Sequence, residues 1–169
     1  IELINFAIKR KVPILIGTTG FDSEQLAFIK KSSEKIPIFL SANMSIGANL
    51  LTKLSVYTAA EIHNISDIDI IEKHHKYKLD TPSGTALMIE NAIELSLDQP
   101  CDITIHSVRS GGIYGEHQVL FASKDEIITI THTALSRTAF VRGAIEYANF
   151  ICTKKTGLFS SLNTYTKIK

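Results

Sequence analysis

The stretch Ile68-Asp69-Ile70-Ile71-Glu72-Lys73-His74-His75-Lys76-Tyr77-Lys78-Leu79-Asp80-Thr81-Pro82-Ser83-Gly84-Thr85-Ala86 changes period halfway and carries most of the reactive side chains of the chain. From Ile68 the pattern repeats every two residues. Ile68, Ile70, Glu72 and His74 fall on one face of a predicted strand, and Asp69, Ile71, Lys73 and His75 on the other. A loop follows, and a helix is predicted from Ser83 to about Leu95. Downstream, Cys101 to Arg109 alternates again. Gln118–Ala122 and Glu126–Thr133 read as strands joined by a hairpin at Ser123-Lys124-Asp125. A last helix runs from about Arg137 to Cys152, with Phe140, Ala144, Tyr147, Ala148 and Ile151 as its apolar stripe. Strands, hairpin and flanking helices make an α+β pattern.

Upstream of Ile68 the character differs. Pro13-Ile14-Leu15-Ile16 is a short apolar run closed by Gly17-Thr18-Thr19-Gly20, the mark of a buried parallel strand. Asp22 or Ser23 caps a helix through about Glu34, and Ile36 to Leu40 is a second buried strand. This is a βαβ unit. Ser45 caps a longer helix carrying Leu50, Leu51, Leu54 and Tyr57 and ending near His63-Asn64. The break between the two parts falls near Asn43 to Ser45.

Composition narrows the class. The 169 residues, 44% hydrophobic and 21% charged, describe an ordinary globular chain rather than a disordered, collagenous or disulfide-built one. A net charge of +1 gives no field directed at nucleic acid or at a membrane surface. No apolar run approaches the ~20 residues of a membrane span. Cys101 and Cys152 are too few for a disulfide framework and suit a reducing cytoplasm, where they are expected as small buried hydrophobes.

The chemistry concentrates between Glu72 and Ala86. Ser83-Gly84-Thr85 opens a helix, where free backbone N–H groups, two hydroxyls and a glycine suit an anion. Lys78 adds positive charge, so a carboxylate or a phosphate fits. His74 or His75 can move a proton near neutral pH. The plainer alternative is a helix cap beside two packed histidines. The clustering of two adjacent His, a Lys and a Gly-containing helix start keeps a functional anion site level with that alternative on chemistry alone. A metal centre is disfavoured: His63, His106, His117 and His132 are dispersed, and no zinc-spaced Cys pair or His-Glu-x-x-His occurs. No Gly-x-Ser-x-Gly is present, and neither cysteine sits in an activating context.

At these residues the sequence resembles the dihydrodipicolinate reductase family, also called 4-hydroxy-tetrahydrodipicolinate reductases. The family pattern stands here as Glu72, His74, His75, Lys78, Asp80, Pro82, Ser83, Gly84, Thr85 and Ala86. Gly17-Thr18-Thr19-Gly20-Phe21 and Ala42-Asn43-Met44-Ser45-Ile46-Gly47 resemble two of its nucleotide-domain loops. Arg109, Gly115-Glu116-His117, Ser136-Arg137 with Phe140, and Gly157-Leu158-Phe159 resemble its later landmarks.

The resemblance implies α/β plus α+β architecture: the C-terminal part of a Rossmann-type dinucleotide-binding domain in residues 1–44, then a substrate-binding and tetramerisation domain with a mixed sheet and flanking helices in 45–155. Residues 156–169 form a tail returning to the nucleotide domain. It implies a cytoplasmic homotetramer that reduces a cyclic dicarboxylate with NADH or NADPH in lysine (diaminopimelate) biosynthesis. His74 matches the proposed proton donor, and Lys78 the cation that assists it. His75, Ser83, Gly84 and Thr85 match substrate-carboxylate contacts. Gly17, Thr18, Thr19, Ser41, Ala42, Asn43 and Met44 match cofactor contacts, with Arg137 and Phe140 added. Ser41 and Met44 stand where an Ala and an aromatic residue are common, and Met44 is expected to offer the nicotinamide an apolar surface.

The family's Gly-x-Gly-x-x-Gly loop is not among these residues. The chain opens at Ile1 inside a helical pattern, which reads as part of a longer protein whose upstream strands cover residues 1–43. The competing expectation is a truncated, non-catalytic fragment that binds a dicarboxylate or only oligomerises. A different two-domain dehydrogenase, acting on a semialdehyde for example, would require a nucleophilic cysteine in a loop or another base, and neither appears.

Overall fold

A computed structural model of the chain describes residues 1–161. They form α1 (Glu2–Arg10), β1 (Ile14–Ile16), α2 (Ser23–Ser32), β2 (Pro37–Leu40), α3 (Ile46–Ile62), β3 (Asp67–His74), α4 (Gly84–Glu94), β4 (Ile103–Arg109), β5 (Glu116–Ala122), β6 (Ile127–Thr133), α5 (Thr138–Cys152) and β7 (Gly157–Phe159). Among the described residues two compact units result, one from residues 1–46 and 140–161 and one from residues 47–139.

The first unit is built on a parallel sheet of order β1-β2-β7. Asp22 is the residue that caps α2. Its side chain accepts from Gln25 N at 2.8 Å and Asp22 N donates back to Gln25 Oε1 at 3.1 Å, a reciprocal capping box. Alternation along β2 then sends neighbouring side chains to opposite faces. Ile38 joins Ile4, Ala7, Ile16, Ile29 and Ile36, the core under α1 and α2. Phe39 joins Met44, Tyr147 and Ile151, the core under α5. Phe39 and Tyr147 stack with ring centroids 4.4 Å apart. β7 lies parallel to β2, and Gly157 N donates to Ser33 O at 2.7 Å.

This division differs from the 45–155 span read for the second domain. From Phe140 onward α5 belongs to the first unit, because its buried stripe packs on Phe39 and Met44. Residues 162–169 of the expected tail lie outside the described residues. Cysteine burial also differs from expectation: Cys152 is exposed and Cys101 half-buried, and both are free thiols.

The second unit is a mixed sheet of order β4-β3-β5-β6. β3 and β4 run parallel, with α4 in the connection between them, while β5 and β6 continue antiparallel. One face carries Ile68, Ile70, Val119 and Phe121, closed by Leu51 and Ala59 of α3 and Ala86, Ile89 and Ile93 of α4. β5 starts at Glu116, two residues earlier than the pattern predicted, which brings His117 into the sheet. No helix among the described residues is long and apolar enough to cross a membrane.

Gly143 marks the closest approach of α5 to the chain beneath it, since a Cβ there would overlap the Met44 carbonyl oxygen. Backbone cannot swing aside as a side chain can. Gly143→Ala is therefore expected to lower stability by roughly 1–3 kcal/mol or more, read as an earlier midpoint in denaturant unfolding.

Candidate active site

Strand alternation alone places Glu72 and His74 on the core-facing side of β3, beyond the last isoleucines. Glu72 is fully buried. A buried carboxylate must be paired and hydrogen-bonded to be tolerated, and this one is. Arg109 Nη1 donates to Oε2 at 2.8 Å and Nη2 to Oε1 at 2.7 Å, a bidentate pair. His74 Nδ1 meets Oε2 at 2.5 Å, and the Ser83 backbone N–H donates to Oε1 at 3.2 Å. The register explains the meeting: β3 sets His74 opposite Arg109 on β4 and Glu72 opposite His117 on β5.

Arg109 also ties down the loop after β3. Its Nη2 donates to Asp80 O at 2.8 Å and to Thr81 Oγ1 at 3.2 Å. The loop passes through a cis Thr81-Pro82 bond into Ser83, the N-cap of α4. Ser83 Oγ accepts from Ala86 N at 3.2 Å and shares a hydrogen bond with His117 Nε2 at 3.1 Å. The Ser83 hydroxyl thus joins the α4 cap to His117. Gly84 and Thr85 lie in the first turn of α4, with Thr85 buried. Lys78 Nζ holds both Asp80 oxygens, at 2.7 and 2.8 Å. His75 lies just past the strand, and its buried Nδ1 has no hydrogen-bond partner among the described residues.

Electrostatics follow from this packing. Burial would raise the Glu72 carboxyl, but the hydrogen bonds from Arg109 and His74 outweigh it and hold it at about 2. Burial lowers His74 below the usual imidazole value, with Lys78 and Arg109 adding to it and Glu72 opposing it. His117, whose ring lies edge-on to His74 at 5.2 Å, is pushed down to about 3, chiefly by burial. It is neutral at physiological pH.

The nucleotide-loop residues gather in the first unit. Gly17–Gly20 leaves the C-terminal end of β1 and Ser41–Asn43 the C-terminal end of the adjacent parallel β2. Such an edge is where open α/β sheets take their ligands. Gly17, Thr18, Thr19 and Ala42 are exposed there. Ser41 Oγ donates to Asn43 O at 2.8 Å and meets Ser161 Oγ at 2.9 Å, while Asn43 Oδ1 accepts from Ser45 N at 2.7 Å. Ser41 and Asn43 shape the loop, and the exposed residues face outward. These residues fit a dinucleotide. Met44, only 8% exposed, packs with Phe39 and Tyr147 in the core under α5. Arg137 is exposed just before α5, and Phe140 is half-buried in its first turn.

Glu72, Arg109 and His117 were visible in sequence only as landmarks. Their joint role needs strand register. The one local signal is a glutamate two residues before a histidine on an apolar strand face. No group of three or more His, Cys, Asp or Glu among the described residues is arranged to hold a metal ion.

The described residues thus pair a parallel α/β unit, whose loops gather at one strand edge, with a mixed sheet that presents a histidine on a buried carboxylate. Comparison with known proteins gives the family. The profile for the N-terminus of dihydrodipicolinate reductase matches residues 1–44, and that for its C-terminus residues 47–164. The 4-hydroxy-tetrahydrodipicolinate reductase of Caldanaerobacter subterraneus subsp. tengcongensis is 45% identical over 94% of this chain and 69% of its own length. That of Wigglesworthia glossinidia brevipalpis is 45% identical over 99% of this chain and 63% of its own. Among solved structures, a dipicolinate-bound dihydrodipicolinate reductase from Paenisporosarcina sp. TG-14 superposes with a TM-score of 0.77 at 30% identity, covering 94% of this chain and 66% of that one. The chain belongs to the dihydrodipicolinate reductase family. It spans about two thirds of the length of these relatives. It is accordingly an enzyme, an NAD(P)H-dependent reductase of lysine biosynthesis.

His117 gives a test of the packing around the site. The unfolded chain protonates it near 6.5, the folded chain only at about 3. Between those values the unfolded state binds more protons, so stability falls as pH drops. By about pH 5.5 this residue alone removes roughly 1.4 kcal/mol relative to about pH 7.5. His117→Asn should flatten the pH dependence of the unfolding free energy by about that amount.

Proposed function

We propose that residues of this chain act in the reduction of 4-hydroxy-tetrahydrodipicolinate, or of its dehydrated form dihydrodipicolinate, to tetrahydrodipicolinate. The observation that carries this reading is His74 Nδ1 seated on the buried Glu72 carboxylate, which leaves Nε2 as the reacting nitrogen. The 4-hydroxy form first loses water across carbon 4 and its neighbour to give the dihydro ring, and NADH or NADPH, when bound, would supply a hydride to carbon 4 of that ring. The electron-rich ring must then take a proton at the neighbouring carbon, and protonated His74 gives it from Nε2. Gly17, Thr18, Thr19 and Ala42, braced by Ser41 and Asn43, would hold the nucleotide. Arg137 and Phe140 are assigned to the same group by resemblance alone.

The substrate is a dicarboxylate, and the second unit offers matching donors. Lys78 exchanges Asp80 for a substrate carboxylate. The first-turn amides of Gly84 and Thr85 add the positive end of α4. The unpartnered His75 Nδ1 supplies a further polar contact. The negative charge of the substrate also raises His74, so the proton is loaded when the substrate is present.

We assign the protein to the cytoplasm and to a homotetramer, with neither nucleic acid nor membrane as partner. The free thiols and balanced charge support the first. Exposed Ile127 and Ile128 on β6, the last strand of the second sheet, support association of copies.

The test is substrate-dependent oxidation of NADH and NADPH, with substrate generated in place from aspartate semialdehyde and pyruvate. Turnover is expected, and a preparation that binds a pyridine dicarboxylate without turnover would favour the non-catalytic alternative. His74→Gln should lower kcat by roughly 10²–10⁴-fold with a smaller rise in KM. Near-normal turnover would remove His74 as the acid. Lys78→Ala should weaken both kcat and KM, and unchanged values would take it out of the site. Wild-type kcat should fall as pH rises through the His74 pKa, at a higher pH than kcat/KM does.

A further inference from the structure

We infer that Glu72 is the positioning residue for His74, and that Arg109 holds Glu72 in that role while fastening the loop that carries Lys78 and Asp80. This rests on the reading of His74 as proton donor.

The hydrogen-bond geometry leaves Glu72 no freedom. Oε2 receives His74 Nδ1 and Arg109 Nη1, and Oε1 receives Arg109 Nη2 and Ser83 N. Every partner on both oxygens is a donor, so only a carboxylate satisfies all four. The isosteric amide must turn its NH₂ toward two other donors, whichever way it lies. Because Oε2 accepts at Nδ1, it selects the tautomer with the proton on Nδ1 and leaves Nε2 to gain and release the reacting proton. Gly115 keeps space at that nitrogen: a Cβ there would stand 3.2 Å from Nε2.

Charge assigns the same role. Arg109 from β4 and Lys78 from the loop disfavour the imidazolium, and His117 from β5 is neutral. Glu72, on the strand of His74 itself, opposes them. Removing its charge leaves His74 between two cations, and the ring holds its proton only at lower pH. Arg109 acts twice, since the guanidinium that fixes the carboxylate also holds Asp80 O and Thr81 Oγ1. Donor and substrate loop are therefore set by one ion pair.

The experiment compares Glu72→Gln, Glu72→Asp, His74→Gln and the double variant Glu72→Gln/His74→Gln in the full protein. The expected result is a kcat limb moved down by about one pH unit or more in Glu72→Gln, and by less in Glu72→Asp. The His74 ¹⁵N signals should shift from the Nδ1–H to the Nε2–H tautomer. Once His74 is gone, losing Glu72 should cost little further turnover. A merely structural glutamate would instead lower kcat by one factor at every pH, keep the tautomer, and add its loss to that of His74→Gln. That pattern overturns the inference. If Glu72→Gln does not fold, the limb and the tautomer are read in Glu72→Asp, and an unmoved limb there overturns it equally. A His74→Gln enzyme of near-normal turnover would sink the proton-donor reading itself, which separates the two failures.

Discussion

The second unit is organised around one buried carboxylate. Taking Glu72 out of water costs several kcal/mol unless its charge is met inside. Four donors meet it, from β3, β4 and the start of α4. A slip of β4 by one residue would remove Arg109 from His74 and turn the strand's side chains to the other face. The ion pair thus selects a register, a loop path and a helix start together. His74 Nδ1 has a fixed partner because Glu72 is held, and Glu72 is tolerated in the core because Arg109 is held.

The nucleotide-loop residues answer to a different constraint. Side-by-side parallel strands deliver their following loops to one edge, so Gly17–Gly20 and Ser41–Asn43 become neighbours without contact in sequence. Exposed Gly17, Thr18, Thr19 and Ala42 remain available to a ligand. Ser41 and Asn43 spend their polar atoms on the loop itself, and Met44 is drawn into the core by Phe39 and Tyr147. A contiguous motif is therefore divided between exposed and scaffold positions.

Much was legible along the chain because local rules governed it. Period-two alternation from Ile68 to His74 gave β3 its faces, and the Ser83 cap gave α4 its start. The adjacency of His74, His75, Lys78 and the Gly84 turn was readable without any fold. Less legible was the allegiance of α5. Its apolar stripe was evident, but a stripe states only that a helix must be buried, not on which sheet. Half-buried Cys101 and exposed Cys152 show the same limit, since small apolar character does not specify a place in the core.

Sequence by itself determined the elements, the two-part build, the residue types of the candidate site and the family they resemble. Those depend on neighbours within a few positions, where helix and strand periodicities act. Tertiary structure alone decided that Arg109 closes on Glu72, that His117 meets Ser83, and that α5 packs beneath Met44. Each joins residues far apart in the chain, and pairing of strands, not spacing of letters, fixes such meetings. The carboxylate on which the second unit turns therefore reads in sequence as one polar residue in an apolar strand. Folding supplies the charge that makes it tolerable.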